Sequence, residues 1–287
     1  MEVTMSARRG VTLRSQWLGK QLRELREAAG LTLKDAGDFL QRDASTISRV
    51  EAGIYPARST EVVALLGLYG VADERQRDGL VRLSQDAWQS GWWDAYADDV
   101  HLGIVDNAWL ESRAEGIRSF DAMVVPGLLQ TRDYMNAIMR AADAEPSEEQ
   151  IRRWIEFRLI RQQVLASNLP HLVMVLDESV LRRPVGGSRI MRAQLERLVD
   201  VARQPNVEIR VLPQSSGAHA SPDGSFKVYD LPEPYPTVAY VSSPAGAIYA
   251  EAEQARRLML KFDAISRDSL PSEKSVEFIG AVAQELG

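Results

Sequence analysis

The chain has 287 residues, 45% of them hydrophobic and 26% charged, with a net charge of −6 and no cysteine. That length suits about two domains of roughly 100–200 residues, and the composition is that of a globular protein with a real core. It excludes disulfides and thiolate chemistry, argues against a broadly basic phosphate-binding coat, and contains no apolar run near the roughly 18 residues of a membrane span.

The opening stretch MEVTMSARRGVTLRSQW lacks the apolar centre of a secretory signal. A cytoplasmic protein without membrane contact is therefore expected. The charge is uneven. Residues 1–70 hold ten Lys/Arg against eight Asp/Glu, and the remainder is acidic. A mildly basic small domain joined to an acidic larger one suits a specific DNA binder better than a non-specific one.

In chain order, residues 1–15 read as a flexible arm. Its Arg8, Arg9 and Arg14 either follow a DNA groove or belong to a disordered tail. From Trp17 the apolar positions Leu18, Leu22, Leu25 and Ala29 form a helical stripe. Gly30 stops that helix, because glycine tolerates left-handed geometry. Thr32 caps a second helix that runs to Leu40, and Asp43 caps a third from Ala44 to Ala52 with Gly53 at its end. Ser59 or Thr60 starts a fourth, and a fifth covers Asp73 to Trp88. Residues 16–88 thus predict an all-α domain of about five helices.

Residues 89–106 break the periodicity and read as a linker, with Trp92, Trp93 and Tyr96 packing it onto a domain. Residues 107–287 predict a larger α+β domain. Helices are expected from about Thr131, from Ser147 to Ser167, from Arg189 to Gln204, and over 251–266 and 272–286. Ser147 and Gln150 have capping-box spacing. Strands are expected over 172–177, 207–213, 225–231 and 237–241. The helix between the first two strands implies some parallel pairing.

Leu31–Gly53, LTLKDAGDFLQRDASTISRVEAG, carries the densest pattern in the chain. Leu40, Ile47 and Val50 are spaced to clamp two helices at a steep angle, and the turn Gln41-Arg42-Asp43 leaves no room for a loop. The outer face of the third helix then presents Ala44, Ser45, Ser48, Arg49 and Ala52. A slim face with one long donor can enter a major groove and bring Arg49 to a base edge. The stretch resembles the helix-turn-helix of the λ-repressor-like (XRE) family, most specifically in STISRVEAG, residues 45–53. The resemblance implies base contacts from Ala44, Ser45 and Arg49, and DNA-backbone contacts from Thr32, Thr46 and Arg58. Leu33 stands where that family often has Gln, and it cannot donate a hydrogen bond to a phosphate. Ala36 and Gly37 are smaller than usual, which brings the helices closer or weakens them.

Further segments are GWWDAY (91–96), VPGLLQTRDYM (125–135), LDESVLRRPVGG (176–187), VLPQSSGAHASPDGSF (211–226) and LKFDAISRDSLPSEKS (260–275). Together they resemble the uncharacterised C-terminal domain that follows such helix-turn-helices in many actinobacterial regulators. Family members commonly read Ser-Pro where Pro271-Ser272 stands, so Ser272 is expected to cap the last helix. The resemblance implies a transcriptional regulator, and such regulators are often encoded beside a small partner protein in an antitoxin-like arrangement.

Within this region Pro126-Gly127 reads as a structural turn before a helix start, more than as an anion site. Asp177, Glu178, Arg182 and Arg183 read as a buried salt-bridge corner. The loop 215–225 is either a plain connection or a lid, and His219 within it reads as structural more than chemical. No catalytic residue, cofactor or metal site is expected. His101, His171 and His219 lie far apart, and HExxH, GxSxG, GxxxxGK[ST] and GxGxxG are all missing from the sequence.

One reading helix covers few base pairs, so a homodimer on double-stranded DNA is expected, acting as a repressor. The second domain would sense a small-molecule effector or a partner protein. The rival expectation is an antitoxin-like module that sequesters its small neighbour-encoded partner and autoregulates.

Overall fold

Five helices form the first part of the chain because each finds a stop and most find a side-chain cap. In the computed structural model, which describes residues 11–89, 91–100, 102–142, 146–163, 170–243 and 246–287, the Thr12 hydroxyl accepts from the Ser15 amide and opens α1, Leu13–Ala28. Thr32 opens α2, Leu33–Leu40, and Asp43 stands at the head of α3, Ala44–Glu51. Next come α4, Ser59–Leu68, and α5, Glu74–Trp88, where the Asp73 carboxylate accepts from the amides of Arg75 and Gln76. The apolar stripes of these helices meet in one core that includes Leu18, Leu22, Ile47, Val62, Leu65 and Leu80.

Two expectations for this region change. Helix α1 begins at Leu13, inside the expected arm. Arg14 is buried and donates to the carbonyls of Asp86 and Gln89 at 3.0 and 3.5 Å, so it is a structural cation of this core. Arg8 and Arg9 lie outside the described residues.

The chain divides into two compact units, Met1–Asp94 and Ala95–Gly287. The division falls inside the expected linker, and the aromatics there are indeed packed. Trp93 is buried in the first unit, edge-on to Trp92. Tyr96 is buried in the second, edge-on to Phe157. The expected linker also contains the start of a helix, α6, Leu102–Arg113.

In the second unit β1, Gly116–Asp121, follows α6. Then come α7, Arg132–Ala142, and α8, Glu148–Gln162, which Ser147 and Gln150 open as a reciprocal capping box. Strand β2, His171–Asp177, leads through a short α9, Glu178–Arg182, into α10, Ser188–Val201, and β3, Val207–Leu212. Strands β4, Phe226–Asp230, β5, Val238–Ser243, and β6, Gly246–Glu251, precede α11, Ala252–Asp268, and α12, Ser272–Glu285. The expected helix end at Ser167 falls outside the described residues.

The six strands form one sheet in the order β3-β2-β1-β4-β5-β6. Pairing is parallel among β1, β2 and β3 and antiparallel from β1 through β4 and β5 to β6. Successive side chains alternate between faces. One face carries Phe120, Val175, Phe226 and Val228, packed against Phe262 and Ile265 of α11. The other carries Ser119, Asp121, Lys227 and Tyr229, a polar set facing α6 and α8.

Two finer expectations, for Ser272 and for the Glu178–Arg182 corner, are corrected here, and the choice for His219 is resolved. Ser272 is not a cap; Pro271 precedes α12, and Ser275 bonds the carbonyls of Leu270 and Pro271 and accepts from the Val211 amide. The Glu178–Arg182 pair is real, at 2.6 Å, but the Arg182 side chain is 41% exposed and also reaches Glu285, so the corner is a surface one. His219 is half-buried against the Phe120 ring, and its Nδ1 accepts from the Ser221 amide, a packing role.

Candidate nucleic-acid interface

Helix α3 has one face in the core and one in solvent. Ile47 and Val50 are buried. Ser45, Ser48, Arg49 and Ala52 are exposed, and Ala44 and Thr46 are half-buried. The exposed positions follow a spacing of three, four and seven, which puts them on one side of a helix. The sequence-derived base-contact set is therefore brought together by this one element. With eight residues the helix is about 12 Å long, short enough to lie in a major groove.

What holds α3 is a buried ion pair that sequence periodicity does not mark. Arg26 of α1 donates Nε to Glu51 Oε1 at 2.6 Å and Nη2 to Glu51 Oε2 at 2.9 Å. Its Nη1 donates to the Leu31 carbonyl at 2.8 Å. Hydrogen bonding to the Glu51 carboxylate outweighs burial and raises the Arg26 pKa. One guanidinium thus ties α1, the turn before α2, and the last residue of α3. Such a bidentate pair fixes orientation as well as distance.

Close backbone contact completes the frame. A Cβ on Gly19 would stand 2.5 Å from the Glu51 carbonyl oxygen, and one on Gly37 would stand 2.7 Å from that of Arg42. The small residue at Gly37 therefore brings α2 close to the turn before α3. In that turn Gln41 adopts a left-handed conformation, φ 55°, a geometry usually left to glycine or asparagine.

The expected backbone contacts are less uniform. Arg58 is exposed at the head of α4, with its guanidinium over the Trp88 ring at 5.8 Å, and Trp88 is held by its own bond to the Ala57 carbonyl. Thr32 is exposed, but its hydroxyl is taken. It donates to Asp35 Oδ2 at 2.6 Å and accepts from the Asp35 amide. Donation from the Thr32 hydroxyl, and from the Thr32 amide at 2.8 Å, holds the Asp35 carboxyl below its usual range, so a fixed negative charge stands beside the expected phosphate contact. Lys34, exposed two residues on, places a cation at this helix end. Asp43 heads α3 exposed and without making a side-chain cap bond. Tyr55 was not expected to matter; its half-exposed ring lies 5.7 Å from the Arg49 guanidinium and limits where that cation can go.

A helix-turn-helix domain family matches residues 17–80, and the family named domain of unknown function DUF5753 matches residues 105–281. The chain belongs to the DUF5753 family. In this DUF5753 protein the uncharacterised domain follows a helix-turn-helix of the XRE-like kind, a pairing that marks a DNA-binding regulator. No curated protein and no solved structure shows significant similarity to it. Among the described residues no cluster of His, Asp or Glu is disposed to hold a metal ion, and no helix is long and apolar enough to cross a membrane.

Proposed function

We propose that the protein is a sequence-specific transcriptional repressor of the cytoplasm. It binds a palindromic operator as a homodimer, and its second unit senses a small effector or a partner protein rather than catalysing a reaction. The observation that carries this reading is the exposed face of α3. Ser45, Ser48, Arg49 and Ala52 stand in solvent while Ile47, Val50 and the Arg26–Glu51 pair fix the helix from behind. Arg49 is the donor best suited to guanine, and such a contact discriminates by about 1–3 kcal/mol.

The test is selection of binding sites from random double-stranded DNA with the full chain at near-physiological salt. A palindromic motif with half-sites about one helical turn apart is expected. A single unpaired motif would remove the dimer, and recovery of no motif would remove the reading itself. A stoichiometric small protein co-purifying from native cells would assign the second unit to partner binding.

A further inference from the structure

The polar face of the sheet in the second unit is not sealed. Strands β1, β4 and β5 send Asp121, Lys227 and Tyr240 toward it, and α6, α7 and α8 lie over it. Between them is a cavity of about 660 Å³. That is a size suited to a small organic molecule. Part of its wall is apolar, with Ile104, Val125, Ile138, Met139, Trp154 and Phe157.

Its polar end has a surplus of positive charge. Arg161 is buried and claimed by Glu111, with Nε to Oε2 at 2.8 Å and Nη2 to Oε1 at 2.7 Å. Asn107 and Lys227 approach the same Glu111 oxygen at 2.9 and 3.5 Å. One carboxylate therefore serves two cations. Asp121 accepts from the Ser119 hydroxyl at 2.7 Å. Arg158, the third cation, has no carboxylate within ion-pair reach among the described residues. Its Nη1 donates to the neutral amide oxygen of Gln130 at 2.5 Å. Burial and the neighbouring Arg161 push its pKa down to about 10, outweighing the more distant Glu111, which raises it. At the rim, Asp98 is exposed and Asp99 is held by Arg153 at 2.7 Å, so neither compensates Arg158.

The segment VPGLLQT builds this end. Gln130, which orients Arg158, is itself fixed by donation to the Val125 carbonyl, and Gln162 donates to the carbonyls of Gly127 and Gln130. The turn at Pro126-Gly127 is thus part of the cavity wall. A guanidinium that is half-buried, oriented by Gln130 and outside ion-pair reach of any carboxylate among the described residues is a receptor for a small oxyanion.

We propose that this cavity is the effector site, and that it takes a small organic monoanion: a carboxylate or sulfonate on Arg158, with an apolar body against Trp154 and Phe157. The assignment deepens the sensor role given to the second unit and rests on that reading only for what binding accomplishes.

The test titrates the full chain with the aromatic monoanion 8-anilinonaphthalene-1-sulfonate, followed by its fluorescence. Saturable binding at one site is expected. N-phenyl-1-naphthylamine, the same body without the charge, should bind at least tenfold more weakly. Arg158→Gln should weaken binding of the anion at least tenfold, while Arg203→Gln, an exposed cation away from the cavity, should leave it unchanged. Absence of saturable binding, equal affinity for the uncharged probe, or undiminished binding by Arg158→Gln would each overturn the proposal. If Arg158→Gln does not fold, Met139→Trp fills the cavity and keeps the cation; binding that survives it also overturns the proposal. No readout involves DNA, so failure here leaves operator recognition standing, and a failed site selection leaves the cavity standing.

Discussion

Arg49 and Arg58 are both exposed cations near α3, yet they are expected to behave differently. Arg49 lies on the face that would meet base edges, and Arg58 lies at the head of α4. Arg49→Ala should relax preference at one base position. Arg58→Ala should weaken binding to all sequences alike and lower the salt slope by about one unit. Selection from random DNA with each variant and a salt titration check both; an unchanged preferred site for Arg49→Ala would mean that α3 is not the reading helix. Asp121 supplies a second prediction. Burial, opposed only in part by Lys227 and the Ser119 hydroxyl, raises its pKa from 3.8 to about 6. The folded state then holds the proton more tightly than the unfolded chain does. The resulting stability is fully present below 3.8 and is lost as pH rises through about 6, a cost on the order of 3 kcal/mol at neutral pH. Asp121→Asn should match the parent near pH 4 and exceed it at pH 7.5 in urea unfolding; equal stability at both would show that the carboxylate is not desolvated. Ser45 and Arg49 were legible in the sequence because exposure on so short a helix follows from where Ile47 and Val50 must point. The commitment of Thr32 was harder to read, since Asp35 replaces the Glu or Gln that usually marks a capping box.

Helix α3 owes its position to α1, and that dependence can be measured. Arg26→Ala leaves Glu51 buried without its partner and should cost about 3–5 kcal/mol. Replacing both, as Arg26→Met with Glu51→Leu, should return most of that stability while loosening the orientation of α3. Denaturant unfolding of the three proteins decides; a cost below about 1 kcal/mol for Arg26→Ala would show the pair to be solvated. Gly19→Ala pits two effects against each other. Alanine favours a helix interior by about 1 kcal/mol. Its Cβ, though, would stand 2.5 and 2.6 Å from the carbonyl oxygens of Glu51 and Val50, and overpacking costs about 1–3 kcal/mol. A lower melting temperature is expected, and a higher one would mean that α1 and α3 do not meet so closely. The elements that sequence reading recovered are those with plain periodicity, α1 to α5, α7, α8, α10 to α12 and β2 to β5. Those it missed include α6 and β1, and the reason is shared. Asp106, Asn107 and Glu111 are buried on α6, and Ser119 and Asp121 on β1. Polar residues facing inward erase the amphipathic pattern by which helices and strands are recognised. Together α6 and β1 form one part of the cavity wall, so the sequence left that part unread while α7, α8, β4 and β5, which form much of the rest, were read. Strand β6 was missed for another reason: Gly246, Ala247 and Ala250 give it few large apolar side chains.

Each of the two units has its own core, one helical and one built on a mixed sheet. Arg26→Ala should therefore lower one calorimetric transition and leave a second in place; a single transition shifted as a whole would show the units to be one cooperative body. The uneven charge acts at the same scale. A chain of net charge −6 has little general attraction to DNA, so the proposed operator contact would have to rest on the cations of the first unit. The order of strands carries a consequence in time. Strand β1 sits at the centre of the sheet, between β2 and β4, and β4 begins only at Phe226. Non-local and parallel pairings fold slowly, whereas helices with neighbouring partners fold fast. Ribosomes add roughly 5–20 residues per second, so the helical unit is out and folded several seconds before the cavity has a floor. Every newly made chain thus passes through a stage in which its helix-turn-helix is folded while the cavity is not yet built, and a message cut short after the first unit would leave it there.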